Sequence, residues 1–310
     1  MKKRELTLLV ILKIMKKVLL TGGSGFIGKN ITESCLSKKY QIYTPNRTEL
    51  DLSNDESVHN FFQKNKENFD IVIHSACKPG HRNSSDIGGL FYTNSRMFFN
   101  LAKYSDSFGK IINIGSGAIY DMQHYQPKMA EEYFGQSIPA DEHGFCKYVI
   151  GKYIENSTKI IDLRVFGIFG KYEDYAIRFI SNAICKAIHD LPITIKQNRK
   201  FDYIDIDDLM PILEFFIETK THYNSYNITP DSSIELLKIA EIVNSISKKD
   251  LPINVALEGF GLEYSGDNFR LKKEIKNFEF KKIENSISDL YDWYSSNKNN
   301  INKQFLLTDK

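Results

Sequence analysis

The sequence predicts an α/β protein, with a doubly wound parallel sheet followed by a smaller C-terminal α/β lobe. Short apolar runs alternate with helical segments through the first half of the chain. Such alternation is typical of crossover units that cover both faces of a parallel sheet. A glycine-rich turn also separates the first apolar run from the first helix. With 310 residues, 42% of them apolar and 26% charged, the chain can bury such a core without disulfides or metals.

The predicted elements follow one another without an internal repeat. Strands are predicted at 18–21, 40–44, 70–74, 110–114, 159–165, 193–195 and 201–206. Helices are predicted at 30–37, 53–64, 94–104, 147–155, 175–188, 209–216, 234–243 and 283–293. We expect a main domain, a second lobe and a polar tail that frays. The main domain covers 15–170 and includes part of 201–232. The second lobe covers 171–200 and 233–296, and the polar tail covers 297–310.

The amino terminus carries a short apolar run that Lys13 interrupts, and no cleavage site of small residues follows it. No apolar run approaches a membrane span of roughly 18 residues, so we expect no membrane partner. Met15-Lys16-Lys17 repeats the pattern of Met1-Lys2-Lys3. We therefore expect translation to start at Met15 and residues 1–14 to be an upstream extension.

Charge and cysteine content point away from several classes of protein. The net charge is +2 and no basic stripe stands apart from the acidic residues, so we expect no nucleic-acid partner. No cysteine lies in a CxxC pair or near a histidine at metal spacing, so we expect no metal site. The pattern instead predicts reduced thiols in a reducing compartment, the cytoplasm. The four cysteines are Cys35, Cys77, Cys146 and Cys185.

The glycine-rich turn predicts a dinucleotide site of the Rossmann type. Gly22, Gly25 and Gly28 follow a strand and open a helix. The first glycine allows the tight turn, the second lets the backbone approach a pyrophosphate, and the third lets the helix pack close to the sheet. The backbone of Phe26 and Ile27 would then offer N–H groups to the phosphates at the helix N-terminus. We expect NAD or NADP here; the alternative is a turn with a structural role alone.

The end of the second strand bears on the choice between NAD and NADP. An NAD site usually has an acidic residue there to hold the ribose hydroxyls. In this chain Arg47 comes first, and its planar donors suit a 2′-phosphate, whereas Glu49 is placed to face solvent. The sequence therefore favours NADP.

Four further segments carry a family resemblance. They are Asp51-Leu52, His74-Ser75-Ala76-Cys77, Ser116-Gly117-Ala118-Ile119-Tyr120 and Phe201-Asp202-Tyr203-Ile204-Asp205-Ile206-Asp207-Asp208. With the glycine turn, they resemble the extended short-chain dehydrogenase/reductase family, especially its nucleotide-sugar epimerases, dehydratases and reductases, including the GDP-fucose synthases. The resemblance covers about residues 16–293. It implies that Asp51 and Leu52 contact the adenine side of the cofactor and that Ala76 lies beside it. It also implies a second lobe that binds a nucleoside-diphosphate sugar, and a homodimer.

The same resemblance implies a catalytic set of serine, tyrosine and lysine, and the tyrosine is where this chain departs from it. In the family, the tyrosine moves a proton at a sugar hydroxyl, the lysine holds the ribose, and the serine binds the hydroxyl. Ser116 and Lys147 match their positions, but His143 stands where tyrosine belongs. A second frame pairs Tyr148 with Lys152, about 140° around the helix, so both pairs cannot face the cofactor.

We favour the His143 frame because it keeps the surrounding spacing. Histidine is a competent acid/base, with an ordinary pKa of about 6.5 that suits proton transfer at neutral pH. Lys147, four residues on along the same helix face, would favour the neutral imidazole. The alternatives are that Tyr148 moves the proton, or that the site has decayed and only folds and binds cofactor.

Other departures from the family motifs narrow the set of possible reactions. By the resemblance, 4,6-dehydratases carry an Asp-Glu pair where Gly117 and Ala118 stand, and GDP-fucose synthases use a cysteine at the second position for epimerisation. We therefore expect hydride transfer at C4 of the sugar, either as a net reduction or in a 4-epimerase. A redox-sensing protein that binds NAD(P) without turnover is the alternative. By the resemblance, Phe201 stands where the family has an arginine that contacts the substrate phosphate, and the preceding Arg199 and Lys200 are candidates to make that contact instead. His81 is a candidate to line the sugar pocket.

Overall fold

The computed structural model describes residues 15–65, 69–80 and 88–307. The predicted extension 1–14 and His81 therefore lie outside the described residues. The strands are β1 (Lys17–Thr21), β2 (Gln41–Tyr43), β3 (Ile71–His74), β4 (Lys110–Ser116), β5 (Ile160–Val165), β6 (Gly167–Phe169), β7 (Ile193–Asn198), β8 (Lys200–Phe201), β9 (Tyr203–Asp205), β10 (Ser225–Ile228), β11 (Ile234–Glu235) and β12 (Ile253–Phe260). The helices are α1 (Phe26–Glu33), α2 (Leu36–Lys39), α3 (Asp55–Lys64), α4 (Leu90–Ala102), α5 (Glu142–Glu155), α6 (Phe179–Ile188), α7 (Leu209–Glu218), α8 (Leu236–Ser247), α9 (Phe269–Glu274) and α10 (Ile283–Ser296).

A six-stranded parallel sheet forms the centre of the protein, in the order β10-β5-β4-β3-β1-β2. The predicted α/β fold class with a parallel sheet is confirmed. The strand order reverses at β1, which pairs with β2 on one side and β3 on the other. In open sheets of this type, ligands bind outside the carboxyl ends of the strands at such a reversal. The loops that follow β1 and β3 therefore border the expected site.

Alternating side chains bury both faces of the sheet. Val18 and Leu20 of β1 belong to the core layer that contains residues of α1 and α7. Leu19 belongs to the opposite layer, under α3, α4 and α5. This alternation follows from the two-residue period of a strand. The apolar runs of the sequence are continuous because both faces of each central strand are covered.

Three helices, α1, α4 and α5, begin earlier than the sequence predicts, and the differences at α1 and α5 bear on the site. Helix α1 starts at Phe26 rather than at residue 30. Glycine is a weak helix former, so Gly28 contributes no helix signal of its own to the sequence pattern. Helix α5 starts at Glu142 rather than at 147, because the Asp141 side chain caps it by accepting the N–H of Gly144 at 2.8 Å. The second difference places His143 in the first turn of a helix.

The second lobe packs α6, α8 and α10 around its own apolar core, with the parallel pair β7 and β12 beside it. The chain returns to the main sheet through α7 and β10. The expectation of a frayed tail is wrong for residues 297–307. Ile301 and Leu306 are only 8% and 2% exposed and belong to the core of the second lobe. Ile301 stands alone among polar residues, and Leu306 lies in the short apolar run Phe305-Leu306-Leu307, whose burial the sequence analysis missed.

Along the described part of the chain, no helix combines the length and the apolar character needed to cross a lipid bilayer.

Candidate active site

The glycine turn has the geometry of a dinucleotide site. Gly22 has a φ of +74°, and a Cβ on it would lie 2.7 Å from the Cα of Ala76. A Cβ on Gly28 would lie 2.2 Å from the carbonyl oxygen of Gly22. Both positions therefore require glycine, the first for its backbone conformation and close approach, the second for the packing of α1 on the turn.

The amino terminus of α1 presents backbone groups rather than a capping side chain. Gly25 is the N-cap, and it makes no side-chain capping bond to the N–H groups of the first turn. The first N–H groups of a helix have no partner within it, and they attract an anion together with the helix dipole. This arrangement, at the reversal of strand order, fits the pyrophosphate of a dinucleotide. Phe26 and Ile27 lie in that first turn, as the sequence analysis expects.

Thr21 and His74, which end the neighbouring strands β1 and β3, fix the loop that contains Ala76. Their side chains are 2.9 Å apart, from Thr21 Oγ1 to His74 Nδ1. Ser75 Oγ donates to the carbonyl oxygen of Thr21 at 2.7 Å. Burial, with a contribution from the positive charge of Lys147, lowers the pKa of His74 to about 3. His74 is therefore a neutral structural partner near physiological pH, a pairing that the sequence analysis missed although both residues end adjacent predicted strands.

In the loop after β2, the acidic residue Glu49 is exposed and bonds within the loop. Glu49 accepts the hydroxyl of Tyr43 at 3.1 Å and the N–H of Asn46 at 2.9 Å. Arg47 is 82% exposed and lies 3.4 Å from the carboxylate of Asp51. The side chain of Leu52 is buried in the core, which leaves its backbone as the part that can face a ligand. Arg47 and Glu49 are thus both exposed at this edge of the expected adenosine site, and the carboxylate of Glu49 bonds within its own loop.

Helix α5 packs directly on the turn that follows β4. A Cβ on Gly144 would lie 2.7 Å from the carbonyl oxygen of Ala118, so the first turn of α5 touches that turn. Ser116 Oγ accepts the N–H of Ala118 at 3.1 Å. Lys147 Nζ lies 3.4 Å from the carbonyl oxygen of Ile114, near the end of β4. Ser116 and the ammonium group of Lys147 therefore both lie near the carboxyl end of β4, although they are distant in sequence.

His143 lies one helical turn before Lys147, so both side chains project from the same face of α5. Both are half-buried. Tyr148, the alternative proton donor, packs against Phe134 with ring centroids 5.2 Å apart. It belongs to an aromatic cluster that also contains Tyr120. The helix thus presents His143 and Lys147 together and turns Tyr148 toward another set of side chains.

A buried polar network lies beneath this site, and the sequence analysis did not foresee it. Arg164 donates to Asp162 at 3.2 Å and to the hydroxyl of Tyr120 at 3.0 Å. That hydroxyl donates to Asn227 of β10 at 2.8 Å, while Asn113 donates to Asp162 at 2.7 Å. Burial raises the pKa of Tyr120 to about 12. The tyrosine of the Ser116–Tyr120 motif therefore supports the turn and keeps its proton.

Phe201, which stands where the resemblance places an arginine, packs among aromatic rings. Its ring centroid lies 4.8 Å from that of Tyr203 and 4.6 Å from that of Tyr264. Lys200 lines a surface groove with Lys238, on the other face of β8. Arg199 lies beside Gly261, where a Cβ would be 3.1 Å from its guanidinium. Lys200 therefore does not replace the missing arginine at the position of Phe201.

Comparison with known proteins places this geometry in a family. A model of the NAD dependent epimerase/dehydratase family matches residues 18–229. The chain is 35% identical to the GDP-L-colitose synthase of Yersinia pseudotuberculosis over 108 residues, which span 34% of each protein. It is 24% identical to a GDP-L-fucose synthase of Sinorhizobium fredii over 249 residues, which cover 74% of this chain and 79% of that protein.

A solved structure has the same fold. A GDP-mannoheptose C4 reductase from Campylobacter jejuni, solved with NADP bound, superposes with a TM-score of 0.76 at 18% identity. The superposition covers 90% of this chain and 98% of that one. Because the family model spans more than half of the sequence, from β1 to β10, the chain belongs to the NAD dependent epimerase/dehydratase family.

Proposed function

We propose that the protein is an NAD(P)-dependent nucleotide-sugar epimerase or reductase that acts at C4 of a nucleoside-diphosphate sugar. The observation that carries the proposal is the packing of α5 on the end of β4. This packing supports a site in which His143 and Lys147 act with Ser116, at the same edge of the sheet as the glycine turn. The names of the relatives, which act on GDP-sugars, support the substrate class.

Each residue of the site has a role in this proposal. Ser116 donates a hydrogen bond to the C4 oxygen of the sugar, and His143 gives or takes the proton at that oxygen. Lys147 holds the ribose of the cofactor through its ammonium group. Gly22, Gly25 and Gly28, with the amides of Phe26 and Ile27, hold the pyrophosphate. Ala76, Asp51 and Leu52 border the rest of the dinucleotide.

The bound NADP(H) or NAD(H) supplies or accepts the hydride at C4. Gly117 and Ala118 follow Ser116 and carry neither a carboxylate nor a thiol. Elimination of water and epimerisation at C3 or C5 both need an additional acid or base at the sugar. The side chains of this turn therefore favour the simple transfer at C4.

A screen of substrates tests the proposal. UDP-, GDP-, CDP- and dTDP-sugars, and their 4-keto forms, are incubated with each cofactor, and cofactor absorbance and product sugars are measured. We expect turnover with one nucleotide class. Tight cofactor binding with no turnover on any sugar would favour the redox-sensing alternative, and failure to bind either cofactor would remove the proposal.

We further propose a preference for NADP, which rests on Arg47. Replacing Arg47 with alanine should weaken NADPH binding by about tenfold to a hundredfold, because a charge-assisted bond to the 2′-phosphate is lost. NADH binding should change little. Calorimetric Kd values for both cofactors test this.

Arg96 provides the matched control for Arg47. It lines the same cleft of about 630 Å³, but it donates to the carbonyl oxygen of Ser53 at 2.6 Å and to the hydroxyl of Tyr92 at 3.0 Å. Arg96→Ala removes the same charge and should leave the ratio of NADPH to NADH affinity near that of the wild type. Equal losses for both cofactors in Arg47→Ala would contradict the NADP preference.

We also propose that the protein works as a homodimer in the cytoplasm. Aromatic pairs bridge α4 and α5, and their outer rings stay exposed. Phe145 stacks on Phe91 and is 38% exposed, and Tyr153 packs on Phe99 and is 43% exposed. Burying such rings against a second copy is favourable. The four unpaired thiols fit a reducing compartment.

Light scattering tests the homodimer. The wild type should have the mass of two chains, and Phe145→Glu should shift it toward one, because a charge would enter the interface. Phe260→Glu, at a 64% exposed phenylalanine on β12, is the control and should leave the mass unchanged. A wild-type mass of one chain at micromolar concentration would contradict the proposal.

A further inference from the structure

The side chain of Asn30 joins the cofactor helix α1 to the segment where the predicted second lobe begins. Its amide nitrogen donates to the carbonyl oxygen of Phe26, in the first turn of α1, at 2.8 Å. The same nitrogen donates to the carbonyl oxygen of Lys171 at 2.9 Å. Only 7% of Asn30 is exposed, and a buried amide that loses its acceptor is costly. Asn30 therefore fixes the start of the second lobe against the first turn of α1.

Tyr172, the next residue of that segment, adds contacts to α1 and to α10. Its hydroxyl donates to both carboxylate oxygens of Glu33 at 2.9 Å, and the ammonium group of Lys29 lies 5.0 Å from its ring centroid. On α10, the ring of Trp293 packs edge-on against it, with centroids 5.3 Å apart. Tyr172 has a φ of +71°, a conformation that a non-glycine residue keeps only where its surroundings compensate. The contacts with α1 and α10 supply that compensation.

The first turn of α1 gains stability from an anion. Gly25 caps it without a side-chain bond, and Gly28 lies within a helix of only eight residues. Glycine disfavours the helix, and N–H groups without partners let a helix end fray. A pyrophosphate that accepts these N–H groups stabilises the helical conformation of Phe26. Binding of the dinucleotide therefore also fixes the carbonyl oxygen to which Asn30 donates.

We propose that Asn30 is a positioning residue that couples dinucleotide binding at α1 to sugar-nucleotide binding in the second lobe. The ordered first turn holds the Asn30 amide, and the amide holds Lys171 together with the segment that leads into α6. This inference rests on the proposed function for its two ligands, and it goes beyond that function by linking their affinities. Such a linkage is reciprocal, so each ligand tightens the binding of the other by the same factor.

Calorimetry measures this linkage as a coupling ratio, the Kd of the sugar nucleotide for the free protein divided by its Kd for the cofactor complex. The sugar nucleotide is the best one of the screen, and the cofactor is supplied in the oxidation state that cannot react with it. The wild type should have a coupling ratio of roughly ten. Asn30→Leu nearly keeps the volume of the side chain but donates no hydrogen bond, so its ratio should fall toward unity. Its Kd for the cofactor alone should stay close to that of the wild type.

Asn244→Leu is the matched control. Asn244 of α8 also donates its side-chain amide to a backbone carbonyl, that of Leu251 at 2.8 Å, within the second lobe. This variant should lower the melting temperature and keep the coupling ratio of the wild type. Where Asn30→Leu does not fold, Tyr172→Phe takes its place, because it keeps the ring and removes only the bond to Glu33. Its coupling ratio should fall to about half of the wild-type value or below.

Each result decides the inference. A wild-type coupling ratio of unity, or an unchanged ratio in the folded variant, overturns the inference and leaves the proposed function in place where turnover is observed. Equal losses of sugar-nucleotide affinity in the free protein and in the complex also leave the ratio unchanged, and they would give Asn30 a structural role alone. If the wild type binds no sugar nucleotide of the panel, the proposed function and the inference fall together.

Discussion

Replacing His143 with alanine should lower kcat by about 10²- to 10⁴-fold, the range that a positioned general acid or base contributes. His143 shares a face of α5 with Lys147, and that helix packs on the turn after Ser116. The variant should bind NADP(H) as the wild type does, because the pyrophosphate site lies at α1, on another part of the sheet edge. Steady-state kinetics and calorimetry on the same preparation separate the two effects.

Two further variants discriminate between the alternative proton donors. Tyr148→Phe should keep near wild-type activity, because its ring packs on Phe134 within the aromatic cluster. His143→Tyr should retain part of the activity, since a phenol at this position can carry the same proton. Full activity in His143→Ala, or a large loss in Tyr148→Phe alone, would overturn the assignment of His143.

The sequence was sufficient for the central sheet and for the cofactor turn because both depend on local patterns. Continuous apolar runs report strands that are buried on both faces. Gly22 and Gly28 are required by contacts within a short segment and with Ala76 on the neighbouring strand end. Spacing along the chain is enough to identify such a motif.

The remaining features depend on contacts between distant residues. Strand β10 is four residues long and includes a serine and an asparagine, so it lacks the apolar run of a central strand. Its Asn227 is buried because it bonds to Tyr120, 107 positions away. Tyr264 reaches Gly117 from the second lobe. No periodicity along the chain can report such pairings, since each depends on how two distant segments fold together.

The start of α5 shows how a local signal can be overlooked. Asp141 stands three residues before Gly144 and caps the helix through that residue's N–H. An aspartate at this position is a helix-start signal, but the glycine in the first turn weakens the prediction of a helix there. Gly144 is needed for another reason, because α5 contacts the carbonyl of Ala118 at that point. A residue that is unfavourable for the helix thus allows the approach that assembles the site.

Replacing Glu173 with glutamine should make the protein more stable at alkaline pH by up to about 5 kcal/mol. Glu173 is 7% exposed, and it accepts the hydroxyl of Ser181 on α6 at 2.6 Å. Burial raises its pKa from the ordinary value of 4.5 to about 8. The carboxyl group is therefore neutral at pH 7, inside the second lobe, and it ionises in the folded protein only under alkaline conditions.

The direction of the pH effect follows from the raised pKa of Glu173. The unfolded chain releases this proton near pH 4.5, whereas the folded chain holds it to about pH 8. The stability that the neutral group contributes is present below the unfolded pKa and is lost as the pH rises through the folded one. Glutamine stays neutral throughout and keeps an oxygen that can accept from Ser181, so the variant should not show this loss.

Urea unfolding between about pH 5 and pH 9 measures the difference in the free energy of unfolding between the wild type and Glu173→Gln. The difference should grow in favour of the variant across this range and level off above the folded pKa. Glu33→Gln is the matched control, because Glu33 also accepts a hydroxyl, that of Tyr172 at 2.9 Å, but in an exposed position. The free energy of unfolding of Glu33→Gln should change with pH in the same way as that of the wild type. Parallel curves for Glu173→Gln would mean that the carboxyl group ionises normally within the fold, and that the second lobe tolerates its charge.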